Sequence, residues 1–529
     1  MSEASSSISK WCVKDLSFQG EDITGRIMAA LEANAEYFGV STLQMMENAG
    51  SSVAKEITAR FKSDGTRVVI VAGTGGNGGD GMVAARHLAY LGFRIELILI
   101  GRPEDVKREI VQRNWMALQF IGDSVKTVVA TDSALIPKLE GEVIVDALLG
   151  TGAKGRLRPP ILEAVKAINE ASGFKVAIDL PTGVDSDSGE IQGEAVKADL
   201  TVALHRSKTG LSSSSAKSFI GELVVAGIGV PREAEYYIGP GDVFLTRKPR
   251  LSDSHKGDYG RLLVVGGSET YAGAPTLAAM AAMRVGVDLV FLAAPSATAH
   301  DIASFSPSLI TLKLKGDHLS SRNIAFLRGF VEKSSAVILG PGLGLHKDTI
   351  EAVRSLVDLV GKMRIPLLLD ADGLKAFAES KRHLDFPVVF TPHAGEYKIL
   401  VGEEPPRELE KKIEHVRRSA KELNSVILLK GAVDVVSDGV RLKLNKVVHN
   451  PGMTVGGTGD VLSGIVGAFL SQGFNPFESA AAGVFINGAA GDFVVQEKGY
   501  HMLAADLIDW IPRVMDNPMS HIQVRKKST

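Results

Sequence analysis

Two glycine-dense stretches of this chain each carry an aspartate, and each sits where an apolar run gives way to a helical pattern. The first reads Gly73-Thr74-Gly75-Gly76-Asn77-Gly78-Gly79-Asp80-Gly81, six glycines in nine residues. Backbone without Cβ atoms can approach a phosphate closely, and a helix N-terminus beside it adds a favourable field. Gly73, Gly75 and Gly78 match G-x-G-x-x-G. The acid that a dinucleotide fingerprint wants at the end of the next strand is absent, however: Gly101-Arg102 stands there. The stretch reads as a ligand loop of another kind. A tight strand-to-helix turn is the competing explanation, and it needs fewer glycines. The second stretch, Gly456-Gly457-Thr458-Gly459-Asp460, opens an apolar helix. Its N–H groups suit an oxyanion or phosphoryl group, and Asp460 can take a proton from an attacking hydroxyl. An aspartate there could also merely complement the helix dipole.

Further polar clusters end other apolar runs. In the first half these are Asp146-Ala-Leu-Leu-Gly150-Thr151-Gly152-Ala153-Lys154-Gly155-Arg156 and Asp179-Leu-Pro-Thr182-Gly-Val-Asp185. Lys154 and Arg156 could meet phosphates. A lone strand-end Asp is often a turn former, but clusters on successive strand ends favour a site. In the second half they are Gly340-Pro-Gly342-Leu-Gly344, Asp370-Ala-Asp372, Thr391-Pro-His393-Ala-Gly-Glu396 and Lys430-Gly431-Ala432-Val433-Asp434. His393 reads equally as a helix N-cap, a buried polar residue or a ligand contact. There is no G-x-x-x-x-G-K-[ST] and no H-E-x-x-H, so a nucleotide must be held without a Walker loop and a zinc hydrolase is excluded.

The elements that must position these clusters alternate. Short apolar runs at 68–72, 95–100, 143–146, 175–179, 200–204 and 222–226 are separated by amphipathic segments, as at 41–61, where Ser41 and Gln44 form a capping-box pattern. A second series covers 262–265, 289–294, 336–339, 367–370, 388–391 and 426–430, and a helical region begins near Asp460. Strand–helix alternation implies mainly parallel sheets covered by helices on both faces. Residues 231–250 carry Pro231, Pro240 and Pro249 and read as a linker, so two domains, 1–235 and 236–529, are expected.

Composition bounds the function. Lys and Arg total 59 and Asp and Glu 61, a net charge of −2, which argues against a dedicated nucleic-acid binder. The end Arg525-Lys526-Lys527 is too short for a nucleic-acid arm. Cys12 is the single cysteine, so there is no disulfide framework or Cys metal cluster. Residues 1–10 lack an apolar signal core, and no run nears the ~18 apolar residues of a membrane span. A soluble, reducing, cytoplasmic setting is expected. The 56 glycines exceed average usage, and their clustering at apolar-run ends points to ligand loops rather than disorder.

Residues 22–230 resemble the YjeF N-terminal domain, the NAD(P)H-hydrate epimerase family. Met46-Glu-Asn-Ala-Gly50, Asn77-Gly-Gly-Asp-Gly81, Asp146-Ala-Leu-Leu-Gly-Thr-Gly152 and Asp179-Leu-Pro-Thr-Gly-Val-Asp185 carry the likeness. Gly76 stands where that family usually has a first Asn. The resemblance implies that Asn77, Asp146 and Thr182 ligate K+. It makes Asp179 the acid/base, and Gly76, Asn77, Gly78, Gly79, Asp80 and Gly150 to Arg156 the substrate contacts. From Gly241 onward the chain is similar to ribokinase-like proteins. Within them it is closest in pattern to the YjeF C-terminal domain, the ADP- or ATP-dependent NAD(P)H-hydrate dehydratases. His255-Lys-Gly257, Gly266-Gly-Ser268, Tyr271-Ala-Gly-Ala274-Pro275 and the second-half clusters above carry this likeness. Asp434 replaces a common Thr, and His393-x-x-Glu396 replaces the Asn-x-x-Glu of small-molecule kinases. This resemblance implies Asp460 as base and Ala274, Gly342, Gly344 and His393 at the substrate. It places Lys430, Gly431, Ala432, Val433, Asp434 and Gly459 at the nucleotide, with Mg2+ assisting. Together the two likenesses imply two three-layer α/β domains, Rossmann-like then ribokinase-like. They imply a homo-oligomeric repair enzyme that epimerises hydrated NADH and NADPH and dehydrates the S form, using ADP or, failing that, ATP. The alternative is a ribokinase-like small-molecule kinase with a nucleotide-binding domain attached. A nucleotide sensor without turnover is a third reading, disfavoured by the two aspartates.

Overall fold

Val68 to Val71 are consecutive β-branched apolar residues, a pattern that suits a strand covered on both faces. In the computed structural model they form the centre of β1 (Arg67–Ala72) and are fully buried. The structure describes residues 22–379, 383–446, 448 and 450–525; the expectations for residues 1–10, Cys12, Lys526 and Lys527 lie outside them. The chain divides into two compact units that meet at Arg232 and Glu233.

In the first unit β1 is joined by β2 (Arg94–Ile100), β3 (Val125–Ala130), β4 (Val143–Ala147), β5 (Phe174–Ile178), β6 (Leu200–Leu204) and β7 (Glu222–Ala226). The strands are parallel throughout, in the order β3-β2-β1-β4-β5-β6-β7. The strand order reverses between β1 and β4, which opens a crevice at their carboxyl ends. The expected helix at 41–61 is found as Thr42–Thr58 with its reciprocal Ser41–Gln44 capping box. One boundary differs from expectation. The helix after β1 starts at Gly76, inside the glycine stretch and not after it, so most of that stretch is helical.

The second unit contains β8 (Arg261–Val265), β9 (Leu289–Pro295), β10 (Ile310–Leu314), β11 (Ala336–Leu339), β12 (Leu367–Leu369), β13 (Val388–Phe390), β14 (Val426–Leu429), β15 (Asp434–Ser437) and β16 (Leu442–Asn445). Their order is β10-β9-β8-β11-β12-β13-β14-β15-β16, parallel except for the antiparallel β14-β15-β16 meander. Helices Thr458–Ser471 and Pro476–Lys498 are buried along most of their length. The expected linker at 231–250 is folded instead. Pro240 takes the first position of the short helix Pro240–Phe244, where its missing N–H is harmless, and Asp242 pairs with Lys443 at 2.6 Å. Among the described residues, no helix is long and apolar enough to cross a membrane.

Candidate active sites

In the first unit the strand ends of β1, β4, β5 and β6 face one cleft of about 1000 Å3. Met28, Met45, Met46 and Ala49 form an apolar wall, and Gly75, Gly76, Asn77, Asp80, Thr151, Gly152, Ala153, Lys154, Asp179 and Lys208 line the remainder. A cleft of this size with an apolar wall and few converging charges suits a nucleotide-sized ligand. The glycines divide by role. A Cβ on Gly78 would lie 1.8 Å from the Gly73 carbonyl oxygen, so this helix can enter so close to the strand end only with glycine there. Gly75, by contrast, has open space around it and leaves its backbone accessible.

Asp146 closes β4 and is buried. Its carboxylate accepts the Thr182 N–H at 2.7 Å and the Thr182 hydroxyl at 2.8 Å. Burial pushes it up to about 6, with those Thr182 bonds and the Leu148 N–H acting against the shift. Asn77 Nδ2 donates to the Leu149 carbonyl at 3.1 Å, while its buried Oδ1 has no hydrogen-bond partner among the described residues. Leu149 N–H donates to the Thr182 hydroxyl oxygen at 3.1 Å, so Asn77, Asp146 and Thr182 meet around one turn.

Asp179 follows β5 in left-handed backbone, φ 68°. Non-glycine residues rarely occupy that region, and those that do concentrate at functional sites. Its Oδ1 accepts both the Leu204 N–H and the Lys208 ammonium, leaving Oδ2 toward Gly150. Lys208 is completely buried and also donates to the Leu204 carbonyl at 2.8 Å and the Arg206 carbonyl at 3.1 Å. Around this pair stand Glu32 and Asp80. Burial, then the Asp179 charge, raises both above their usual range, Asp80 strongly; Arg108 and Lys208 oppose this. The site thus sets two carboxyls of raised pKa beside the Asp179–Lys208 ion pair, an arrangement of the kind general acid–base chemistry uses. Sequence reasoning missed Lys208, Glu32 and Arg108. Lys208 follows a strand end four residues after Leu204, which was a usable signal; Glu32 lies on helix Gly25–Tyr37, where nothing in the pattern marks it. Lys154 reaches the cleft edge and pairs with Asp187 at 3.4 Å. Gly155 and Arg156 are exposed and do not line this cleft.

In the second unit Asp370 follows β12 and is buried. It accepts from Lys430 Nζ at 3.2 Å and from Ser463 Oγ at 2.5 Å. Lys430 follows β14, and Ser463 lies one turn beyond Asp460 in helix Thr458–Ser471, so one carboxylate ties two strand ends to the helix. Gly457 caps that helix at φ 96°, a conformation that favours glycine. A Cβ on Gly459 would sit 3.3 Å from Lys430 Nζ, which places the cation at the helix entrance. Burial opposes the charge on Lys430, yet Asp370 and Glu396 hold it above its usual range. Burial and then the Asp370 charge push Asp460 up to about 7, against the attraction of Lys430. Near neutrality Asp460 can thus accept a proton, and N–H groups that no preceding turn satisfies lie beside it.

The other second-half expectations map as follows. Gly344 N–H donates to Asp372 at 2.9 Å, and Gly342 packs under Tyr271 and near Ala274. His393 is the N-cap of helix Ala394–Val401: its Nδ1 accepts the Gly395 N–H at 3.0 Å, and Glu396 returns a bond to the His393 N–H. The cap reading of His393 therefore holds, and its Nε2 lies 3.4 Å from Glu396 Oε1. Gly431, Ala432 and Val433 form the β14–β15 turn. Asp434 closes that turn, accepting from Gly431 N–H at 2.9 Å and Asn445 Nδ2 at 2.8 Å. Asp370, Glu396 and Ser463 emerge as central here; only tertiary packing brings them to Lys430.

The chain matches the family model of the YjeF-related protein N-terminus over residues 42–210 and that of NAD(P)H-hydrate dehydratase over residues 262–513. It is 45% identical to the bifunctional NAD(P)H-hydrate repair enzyme Nnr of Pyrobaculum aerophilum, covering 94% of this chain and 98% of that one. Identity to the protein of the same name from Hyperthermus butylicus is 42%, over 94% and 93%. Among solved structures, it is similar to the ADP/ATP-dependent NAD(P)H-hydrate dehydratase from Bacillus subtilis co-crystallised with ATP and Mg2+. That likeness is 28% in identity, over 52% of this chain and 96% of that one, with a TM-score of 0.44. Because relatives of this identity are matched along nearly their whole length, with both halves in the same order, the chain belongs to the family of bifunctional NAD(P)H-hydrate repair enzymes.

Proposed function

We infer that the chain repairs NADH and NADPH hydrated at the nicotinamide ring, in two steps on two sites. In the first unit Asp179 moves a proton at the hydrated carbon and interconverts the R and S forms. Lys208 fixes Asp179 through one carboxylate oxygen, and the apolar wall and the open Gly75 backbone receive the nucleotide. In the second unit Asp460 takes the proton of the S-form hydroxyl as a phosphoryl group is transferred to it. The Gly457 to Gly459 N–H groups stabilise the transferring group. Phosphate then leaves where water could not, and the reduced cofactor is restored. We take ADP as the phosphoryl donor, giving AMP and phosphate, with ATP as the lesser one. The observation that carries the reading is Asp460, raised to about 7 at a helix entrance beside Lys430.

Asn77, Asp146 and Thr182 fit a K+ ion, because they offer hard oxygens and one of them, Asn77 Oδ1, is buried without a partner among the described residues. The ion would supply positive charge under the substrate's phosphates. Mg2+ carried in on the nucleotide phosphates would neutralise charge at the second site. A homo-oligomer in the cytoplasm completes the proposal.

The deciding experiment incubates the full chain with hydrated NADH and either ADP or ATP. Return of reduced-cofactor absorbance with released phosphate supports the reading. A stable phosphorylated product would instead mark a small-molecule kinase.

A further inference from the structure

Away from both sites, His318, His346 and Asp348 bring three ligand atoms within 4.8 Å of one another. His318 lies in the turn after β10, and His346 and Asp348 lie at the start of helix Lys347–Lys362. The two imidazole rings stand 4.0 Å apart, tilted by 33°. We propose that these residues form a binding site for a borderline transition-metal cation such as Zn2+, with two nitrogen ligands, one carboxylate oxygen and a remaining position for water.

The arrangement of lone pairs carries the argument. His318 Nδ1 lies 2.6 Å from Asp317 Oδ1, so that ring donates its Nδ1 proton to a carboxylate. This is the outer-shell contact that orients metal-binding histidines and enriches the other nitrogen. The other nitrogen, Nε2, faces Asp348 Oδ2 at 3.6 Å. Two ligands of a tetrahedral ion with bonds of about 2.1 Å are roughly 3.4 Å apart, so the pair has the spacing of two corners of one site. His346 Nδ1 accepts the Asp348 N–H at 3.2 Å and so caps the helix, which fixes the ring with one of its nitrogens within 4.8 Å of the other two ligand atoms.

The site is also pre-organised. Thr349 Oγ donates to the Leu319 carbonyl at 2.9 Å, and both residues are fully buried. Each is the immediate neighbour of a proposed ligand, so the two segments keep their spacing without a metal. His346 is two residues from Gly344, whose N–H is held by Asp372. A bound ion would therefore tether the 340–346 segment to the turn after β10. Two imidazoles with a single carboxylate favour Zn2+, Co2+ or Ni2+ over Mg2+, which separates this site from nucleotide-borne Mg2+.

The test uses the full chain stripped with a chelator. Zn2+ titrated by calorimetry should bind at one ion per chain, and excess Mg2+ should not displace it. Co2+ should give visible ligand-field absorption. His318→Ala and Asp348→Asn should each weaken binding at least tenfold and remove the Co2+ band, and Asp317→Asn should weaken it about 10–100-fold. Zn2+ should raise the melting temperature of the unsubstituted chain and not that of a His318→Ala/Asp348→Asn chain. Absence of stoichiometric Zn2+ binding would overturn the proposal and leave a plain histidine–carboxylate contact. So would binding that survives both single substitutions.

Discussion

At residue scale the two aspartates differ in how they are held, and this decides how each responds to change. Asp460 sits at about 7 because burial and the Asp370 charge outweigh Lys430. Its dehydration rate should rise about tenfold per pH unit below 7 and level off above, and Asp460→Asn should abolish dehydration while leaving R/S exchange intact; a pH profile of reduced-cofactor recovery checks both. The linkage sign follows from the same shift. In the unfolded chain an aspartate ionises near 3.9, so between about pH 4 and 7 the unfolded state loses a proton that the folded state keeps. The stability Asp460 contributes is present below 4 and lost as pH rises through 7. Asp460→Asn should therefore raise the melting temperature more at pH 8 than at pH 5. Asp179 depends instead on Lys208, which is buried with three acceptors. Lys208→Met should lower epimerisation by a hundredfold or more and leave dehydration unchanged, as read by R/S exchange against phosphate release. It also removes the counter-charge of a buried carboxylate, so a loss of about 3–5 kcal/mol in stability is expected by denaturant unfolding.

At element scale, strands under cover on both faces were legible, and of the edge strands only β7 was. β1 reads as an unbroken apolar run, and β4, β5 and β6 as apolar runs with one polar residue each, as suits strands covered on both faces. β3 and β10 lie at sheet edges and keep exposed polar positions, and β15 and β16 form a short antiparallel extension. Their apolar pattern is too broken to stand out. The glycine stretch after β1 was legible as unusual, yet its function at element level is shared. Part of it lets a helix approach a strand end, and part of it leaves backbone open. Glycine to alanine inside a helix ordinarily stabilises by about 0.5–1 kcal/mol. Gly78→Ala should do the reverse, costing about 1–3 kcal/mol or more by overpacking against the Gly73 carbonyl, whereas Gly75→Ala should change stability little; thermal or urea unfolding of both variants separates the two roles.

At the scale of the whole molecule, each unit holds its own strand-end site, and each site is built from residues of its own unit. Complementation in solution should follow. Asp179→Asn alone should convert the S form and stall on R, Asp460→Asn alone should convert neither, and the two mixed should convert an R/S mixture completely. Following residual hydrated cofactor to the end point checks this. The order of apolar runs, the strand-end polar clusters and the absence of a Walker loop already specified two parallel α/β units with nucleotide-type sites. Those properties are local: a buried strand must be apolar along its length, and a loop that approaches phosphate must lack Cβ atoms. The chain order alone could not tell that Lys208 supports Asp179 or that Asp370 joins Lys430 to Ser463. Those depend on which strand ends lie side by side, and on the burial that moves Asp146 and Asp460 toward neutrality. Sheet order and desolvation are set by long-range packing, so tertiary structure decided them.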